Sequence, residues 1–291
     1  MVDIGNKFFW GVRLVKEQLN LSLGKETKYS DLYDKDLLVS IPRRLGREQV
    51  GIFKDMPFSG GDFWNCYELS WLNQKGRPEV RIAQFFVPFD SENIVESKSV
   101  KLYLNSYSGT KFIDENQVLG LLKSDLDRVT NSNTHVSVKS LNEFSSDKLA
   151  MFEGVCLDQL DIEVSEYKVN SGLLKLSNDN MVVEESVYSN LLKSNCLVTN
   201  QPDWASVQIK YKGRRINHEA MLKYIISFRN HSEFHEQCVE HMFHDIMKQC
   251  LPVELTIFAK YTRRGGVDIN PYRTNKIFKT TDINKYRDIR Q

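Results

Sequence analysis

The chain has 291 residues, of which 41% are hydrophobic and 26% charged. This is the composition of a globular protein of one large or two ordinary domains, and it excludes fibrous and disordered classes. Thirty-nine basic side chains stand against thirty-eight acidic ones, so no net field draws in nucleic acid or an anionic membrane. No basic N-terminal segment leads into an apolar run, and no window approaches the roughly 18 apolar residues of a spanning helix, so a cytoplasmic protein is expected. Cys66, Cys156, Cys196, Cys238 and Cys250 are odd in number and never form a C-x-x-C pair. No disulfide framework is expected, and each cysteine reads first as a small buried hydrophobe.

In chain order, "CYELSWLNQKG" and "EVRIAQFFVP" are β-branched and aromatic runs split by a Lys-Gly turn, which predicts a hairpin over about residues 66–88. Val100, Tyr103, Leu104 and Tyr107 recur at helical spacing. Val118, Leu121, Leu122 and Leu126 do so again within Asp114 to Arg128, and "THVSVKSL" returns to strand alternation. The order then repeats, with short strands around Cys196 and "SVQIKY", helices at about 217–229 and 233–249, and a strand in "VELTIFAKY". Laid without gaps, 103–118 and 224–239 share Tyr, Ser, Glu and Val. A duplicated ββααββ plan follows, each half an antiparallel sheet with two helices on one face, which is an α+β fold. The polar stretch 145–185 is the expected connection, partly structured.

Several groupings could carry chemistry. Five of six histidines fall between His218 and His244, and at 100° per residue His231, His235 and Cys238 would share a helix face able to supply three zinc ligands if the helix begins early enough to include His231. A surface helix that merely carries histidines explains the same spacing. "VESKSVKLYL" places Glu96, Ser97, Lys98, Ser99 and Lys101 at a helix start, where free N–H groups suit an anion, although a capped, solvated helix reads equally well. "YTRRGGVDINP" sets Arg263 and Arg264 beside two glycines, either a phosphate-binding turn or an ordinary hairpin corner. His235 and Glu236 follow Phe234, and a glutamate can accept the paired N–H and NH₂ donors of a guanine-like edge. Neither the Rossmann nor the P-loop glycine motif is present.

The segments "ESKSVKLYL" (96–104), "LLKSNCLVTNQPDW" (191–204), "SFRNHSEFHEQCVE" (227–240) and "YTRRGGVDINP" (261–271) together resemble the NADPH-dependent 7-cyano-7-deazaguanine reductases of queuosine biosynthesis, in their long two-module form. The resemblance runs from about residue 23 to the end of the chain. It implies a tunnelling fold (T-fold) of two tandem ββααββ modules, with 1–22 an extension, 23–144 the first module, 145–185 the connection and 186–291 the second module. It further implies Cys196 as the nucleophile that forms a covalent thioimide and Asp203 as proton donor. Val95, Glu96, Ser97, His235 and Glu236 would bind the substrate, and Ser97, Lys98, Arg264 and Gly265 would bind NADPH, used twice per nitrile with no metal. A homodimer acting on a small deazapurine, without direct contact to nucleic acid or membrane, is the implied assembly. The residue pattern alone leaves open a zinc-dependent cyclohydrolase-like enzyme and a non-catalytic purine-binding protein.

The chemistry asks for these residue types. A nitrile carbon is a poor hydride acceptor until a soft thiolate has added to it. A thiol of pKa about 8.5 needs a base or a cation nearby, for which His235 and Lys193 are the sequence candidates. Asp203 must be protonated to donate, and burial beside Pro202 and Trp204 is expected to raise its pKa. If Asn200, Gln201 and Pro202 form a turn, Cys196 and Asp203 can face one cavity from opposite arms.

Overall fold

A computed structural model describes residues 29–53, 55–145, 149–278 and 287–291, so the expected extension at 1–22 lies outside the described residues. The chain begins with a short ribbon. Strand β1 (Ser40–Pro42) is followed directly by helix α1 (Arg43–Gln49), and β1 later pairs antiparallel with β4 (Asn93–Val95), Ser40 opposite Val95. Between them runs the expected hairpin, β2 (Ser59–Leu72) and β3 (Pro78–Pro88), closed by a turn at Gly76, whose φ of +82° is open to glycine at no steric cost. The hairpin begins seven residues earlier than its side-chain pattern suggests, because Ser59 to Asn65 are recruited by a distant strand.

Helix α2 (Ser97–Ser106) and helix α3 (Glu115–Thr130) follow, the second capped by Asp114, which accepts from the N–H of Gln117 at 2.9 Å. Strand β5 (His135–Lys139) and a single turn, α4 (Leu141–Phe144), close the first half. The connection is more structured than its polarity implies. It carries a two-residue strand β6 (Val155–Cys156) and buries Phe152, Leu157 and Leu174. The second half is β7 (Val182–Asn195), β8 (Pro202–Arg214), α5 (His218–Ser227), α6 (His235–Cys250), β9 (Glu254–Tyr261) and β10 (Val267–Thr274). The strands near Cys196 are long, not short, and the first half supplies one strand after its helices where the second supplies two.

The long strands form one eight-stranded sheet in the order β5-β3-β2-β10-β9-β8-β7-β6, antiparallel except for the short β6–β7 pair. The two halves are thus joined edge to edge, with Val267 opposite Cys66 at one end of the β10–β2 ladder and Thr274 opposite Ser59 at the other. Directly paired residues share a sheet face, so Val207 with Ala259 and Ile269 with Trp64 mark one face, which both helix pairs cover. Two apolar cores result. Trp64, Leu69, Trp71 and Phe85 pack with Tyr103, Leu122 and Leu126, and Val207, Ile209 and Ile257 pack with Ile225, Met242 and Ile246. The molecule is an α+β fold built on an antiparallel sheet. Among the described residues no helix is long and apolar enough to cross a membrane.

Candidate active site

Three local structures converge beside the β10–β2 seam. The first is the turn between β7 and β8, closed by Cys196 N–H to Gln201 O at 2.8 Å and Asn200 N–H to Cys196 O at 2.9 Å, with Asn200 at φ +57°. Behind it, Ile41 of β1, Ile94 of β4 and Val198 form a small cluster against which Cys196 and Phe234 pack, so the ribbon of the first half buttresses the cysteine of the second. The second is the N-terminus of α6. The segment before it is tied to the end of β7 by Asn195 N–H to His231 O (2.8 Å) and Glu233 N–H to Asn195 O (3.2 Å), which fixes His235 and Glu236 beside the Cys196 turn. The third is the N-terminus of α2, where Glu96 N–H bonds Val39 O at 2.9 Å and the Ser99 hydroxyl accepts from Val39 N–H at 3.1 Å.

These elements enclose a cavity of about 520 Å³. Of the residues expected at a site, Val95, Ser97, Lys98, Cys196, Asp203, His235, Glu236 and Arg264 all line it. Glu96 is buried at the N-cap of α2 and Gly265 lies behind Arg264, and neither contributes to the lining. Cys196 and Asp203 do face one cavity from opposite ends of their turn. Lys193 does not join them: its ammonium donates to Asn195 Oδ1 and to Arg229 O, both at 2.7 Å, and the lysines that line the cavity are Lys98 and Lys101 of α2.

The electrostatics of Asp203 differ from expectation. Its ring neighbour is not Trp204, which stands 38% exposed on the other side of β8 under the Arg229 guanidinium. Burial does push the Asp203 carboxyl up, but the hydrogen bond and charge of His235, together with Arg264, outweigh it and hold the group below the ordinary aspartate value. His235 Nε2 lies 3.4 Å from Asp203 Oδ2, and its ring stacks on Tyr261 at 3.7 Å and 6°. Arg264 ion-pairs with Asp203 Oδ1 and donates to Gln201 Oε1 and to Pro202 O. Glu236 behaves oppositely: burial, then the charge of Asp62, pushes its carboxyl up to about 8 against the pull of Arg43 and Arg273.

Behind Glu236 lies a buried charge network with no signal in the sequence reading. Arg273 bridges Asp62 (2.9 Å) and Glu240 (2.7 Å), while Arg43 pairs with Asp62 (2.5 Å) and Arg47 with Glu240 (2.8 Å). It ties α1 of the first half to α6 and β10 of the second, and only three-dimensional proximity makes these five residues a group. Burial raises the Glu240 carboxyl, but Arg273 and Arg47, with Arg43, bring it down to about 2.

The zinc-like trio is not assembled. His231 precedes α6 instead of sharing its face, and Cys238 is wholly buried in the core, its thiol pushed up by that burial. Among the described residues the three that do converge are His231, Glu233 and His241, with ligand atoms within 4.8 Å of one another. Their arrangement is that of an ion cluster, with His231 Nε2 at 3.0 Å and His241 Nδ1 at 3.3 Å from Glu233, and His241 Nε2 at 3.6 Å from Asp245. Burial raises Glu233, but the two histidines lower it to about 2, so an ionised carboxylate lines the cavity beside Phe234. The H-x-E-F-H-E spacing of residues 231–236 is the one sequence signal that points to Glu233.

Comparison with known proteins bears on this geometry. Residues 29–139 match a family described as nitrile reductase, 7-cyano-7-deazaguanine-reductase N-term, and residues 202–279 match a family described as QueF-like protein. The chain is 51% identical over 271 residues, 92% of its own length and 97% of the relative's, to an NADPH-dependent 7-cyano-7-deazaguanine reductase of Cupriavidus taiwanensis. Among solved structures, that of the archaeosine synthase QueF-Like in the apo form matches at 17% identity and a TM-score of 0.29, covering 33% of this chain and 96% of that one. The chain belongs to the family of NADPH-dependent 7-cyano-7-deazaguanine reductases.

Proposed function

We propose that the protein reduces the nitrile of 7-cyano-7-deazaguanine to the aminomethyl group, in the pathway to queuosine, with Cys196 as covalent nucleophile. The observation that carries this reading is the shared cavity: Cys196, Asp203, His235 and Glu236 from one half meet Val95, Ser97 and Lys98 from the other. The net reaction consumes two NADPH and two protons per nitrile. The cavity rim fits NADPH, because Ser97 and Lys98 open α2, a helix N-terminus favours phosphate, and Lys101 and Arg264 add positive charge. When bound, NADPH supplies the hydrides.

The residues of the chain do the rest. Asp203, held ionised by His235 and Arg264, takes the Cys196 proton as the sulfur adds to the nitrile carbon, and returns it to the nitrile nitrogen to give a neutral thioimide. After the first hydride the C–S bond breaks, the thiolate leaves, and the imine formed is reduced in turn. Glu236 accepts the N–H and NH₂ donors of the pyrimidine edge, while His235, stacked on Tyr261, fixes the acid end of the site. Intact mass after mixing with the nitrile in the absence of NADPH tests the scheme. Addition expels nothing, so the gain equals the whole substrate mass and vanishes in Cys196→Ala; no gain in the parent protein overturns covalent catalysis.

The finer architecture is proposed on the same footing: two tandem T-fold modules, 23–144 and 186–291, joined by 145–185. Matched bonding supports the duplication. Tyr103 donates to Asp125 at 2.7 Å and Ser106 to Tyr103 O at 2.6 Å in one half, and Tyr224 donates to Asp245 at 2.8 Å and Ser227 to Tyr224 O at 2.6 Å in the other. The first long strand of each half, β2 and β7, is also bulged, between Cys66 and Leu69 and between Ser189 and Leu192. A cytoplasmic homodimer that acts on the free base without touching nucleic acid completes the reading, and light scattering at working concentration tests the assembly.

A further inference from the structure

Lys101 projects from the second turn of α2 into the same cavity as Cys196 and Asp203. It is partly buried, and among the described residues it makes no ion pair or hydrogen bond. The chain keeps space for it. Gly265, at φ +55°, lies so close that a Cβ there would sit 3.1 Å from Lys101 Cδ and 3.3 Å from its Nζ. The glycine therefore serves two ends, a left-handed corner that L side chains rarely adopt and a slot for the lysine stem.

The other ionisable groups around the cavity are committed elsewhere. Asp203 and Arg264 pair with each other, and His235 faces Asp203. Glu233 is held by His231 and His241, and Glu236 is raised by burial and by Asp62. Lys98 is already engaged with a neighbour. Burial and the charge of Arg264 pull the Lys101 ammonium below the ordinary lysine value, while Asp203, Cys196 and Cys66 push it back up, so the lysine and the Cys196 sulfur lie within each other's field.

We propose that Lys101 is a positioning residue for nitrile reduction, the cation that stabilises the negative charge developing on the Cys196 sulfur as Asp203 takes its proton. The assignment rests on the reading of Cys196 as nucleophile. It replaces Lys193, whose ammonium is tied to Asn195 and Arg229, and it gives Gly265 a role as the seat of that lysine.

The test is the pH dependence of iodoacetamide alkylation at Cys196 in the full-length protein without NADPH, resolved by peptide mass spectrometry from the other four cysteines. A thiol left to itself titrates near 8.5. Removing a nearby cation in Lys101→Gln should move the midpoint up by about one unit, a roughly tenfold slower reaction at pH 7. Lys101→Met, which keeps the stem, should match it, and Lys101→Arg should return the rate to within about threefold of the parent. An unmoved midpoint in Lys101→Gln and Lys101→Met, or an equal rise in Lys101→Arg, overturns the proposal. Adduct formation with the nitrile separates the two readings. If the parent protein forms no adduct, the nucleophile assignment fails while a Lys101 shift would stand. A normal adduct with unshifted variants overturns the Lys101 assignment alone.

Discussion

Glu236 offers the sharpest quantitative test of the site. Its carboxyl is pushed up to about 8 from an ordinary value of 4.5, chiefly by burial and then by Asp62. In the unliganded pocket it is therefore protonated at neutral pH, yet accepting two donors from a guanine-like edge requires the carboxylate. Binding must then release a proton. About 90% of sites are protonated at pH 7, so roughly 0.9 proton should be released per ligand, and the ionised fraction rises from about 1% at pH 6 to half at pH 8, which strengthens binding about 50-fold over that interval. Calorimetry on Cys196→Ala, which binds without bonding, in two buffers of different ionisation enthalpy reads both quantities. Stability of the unliganded protein gives a second reading. A carboxyl whose folded pKa is raised stabilises the fold fully below pH 4.5, and that contribution is lost as the pH climbs through about 8. Glu236→Gln should remove both the affinity slope and this share of the stability slope. Affinity that is flat from pH 6 to 8 with no proton release refutes the argument.

Asp203→Asn should leave nitrile binding within a few-fold but lower turnover by roughly 10²–10⁴, the usual worth of a positioned acid or base; single-turnover NADPH oxidation measures it, and near-normal rates reject the acid role. Arg273→Met removes the guanidinium that bridges Asp62 and Glu240, leaving them to Arg43 and Arg47, and should cost at most roughly 3–5 kcal/mol by denaturant unfolding; a loss under 1 kcal/mol would show that the bridge carries little stability. Glu233 and Glu240 are both held at about 2, so the stability they contribute is present above about pH 4.5 and lost as the pH falls through 2, and Glu240→Gln should flatten that acid limb in thermal scans. Gly265→Ala meets both a left-handed backbone and the Lys101 stem, and should slow Cys196 alkylation while leaving circular dichroism unchanged.

Much of this molecule was readable from local pattern. Helical periodicity placed α2, α3, α5 and α6 within a few residues, because each needs only the spacing of its own apolar face. The Lys-Gly turn announced the β2–β3 hairpin for the same reason. The cavity residues were legible through motifs, and eight expected positions do line one space. Errors arose where one local reading had to stand for a tertiary fact. The zinc-like face needed a helix that already includes His231, but the helix begins at His235, and Lys193 was a candidate neighbour of Cys196, although its ammonium is turned to Asn195 and Arg229. Asp203 was expected to be raised by burial, while the guanidinium that lowers it comes from 61 residues further on.

The sequence by itself determined the four main helices and the β2–β3 hairpin, since each depends on spacing within a short stretch. Only the tertiary structure decided that β10 pairs with β2 to make one sheet of two halves, that Arg43, Arg47 and Arg273 share two carboxylates, and that Lys101 lines the same cavity as Cys196. Strand register and charge pairing between distant segments are set by which faces pack together. The energy of a buried charge depends on every neighbour that packing brings, not on those beside it in the chain.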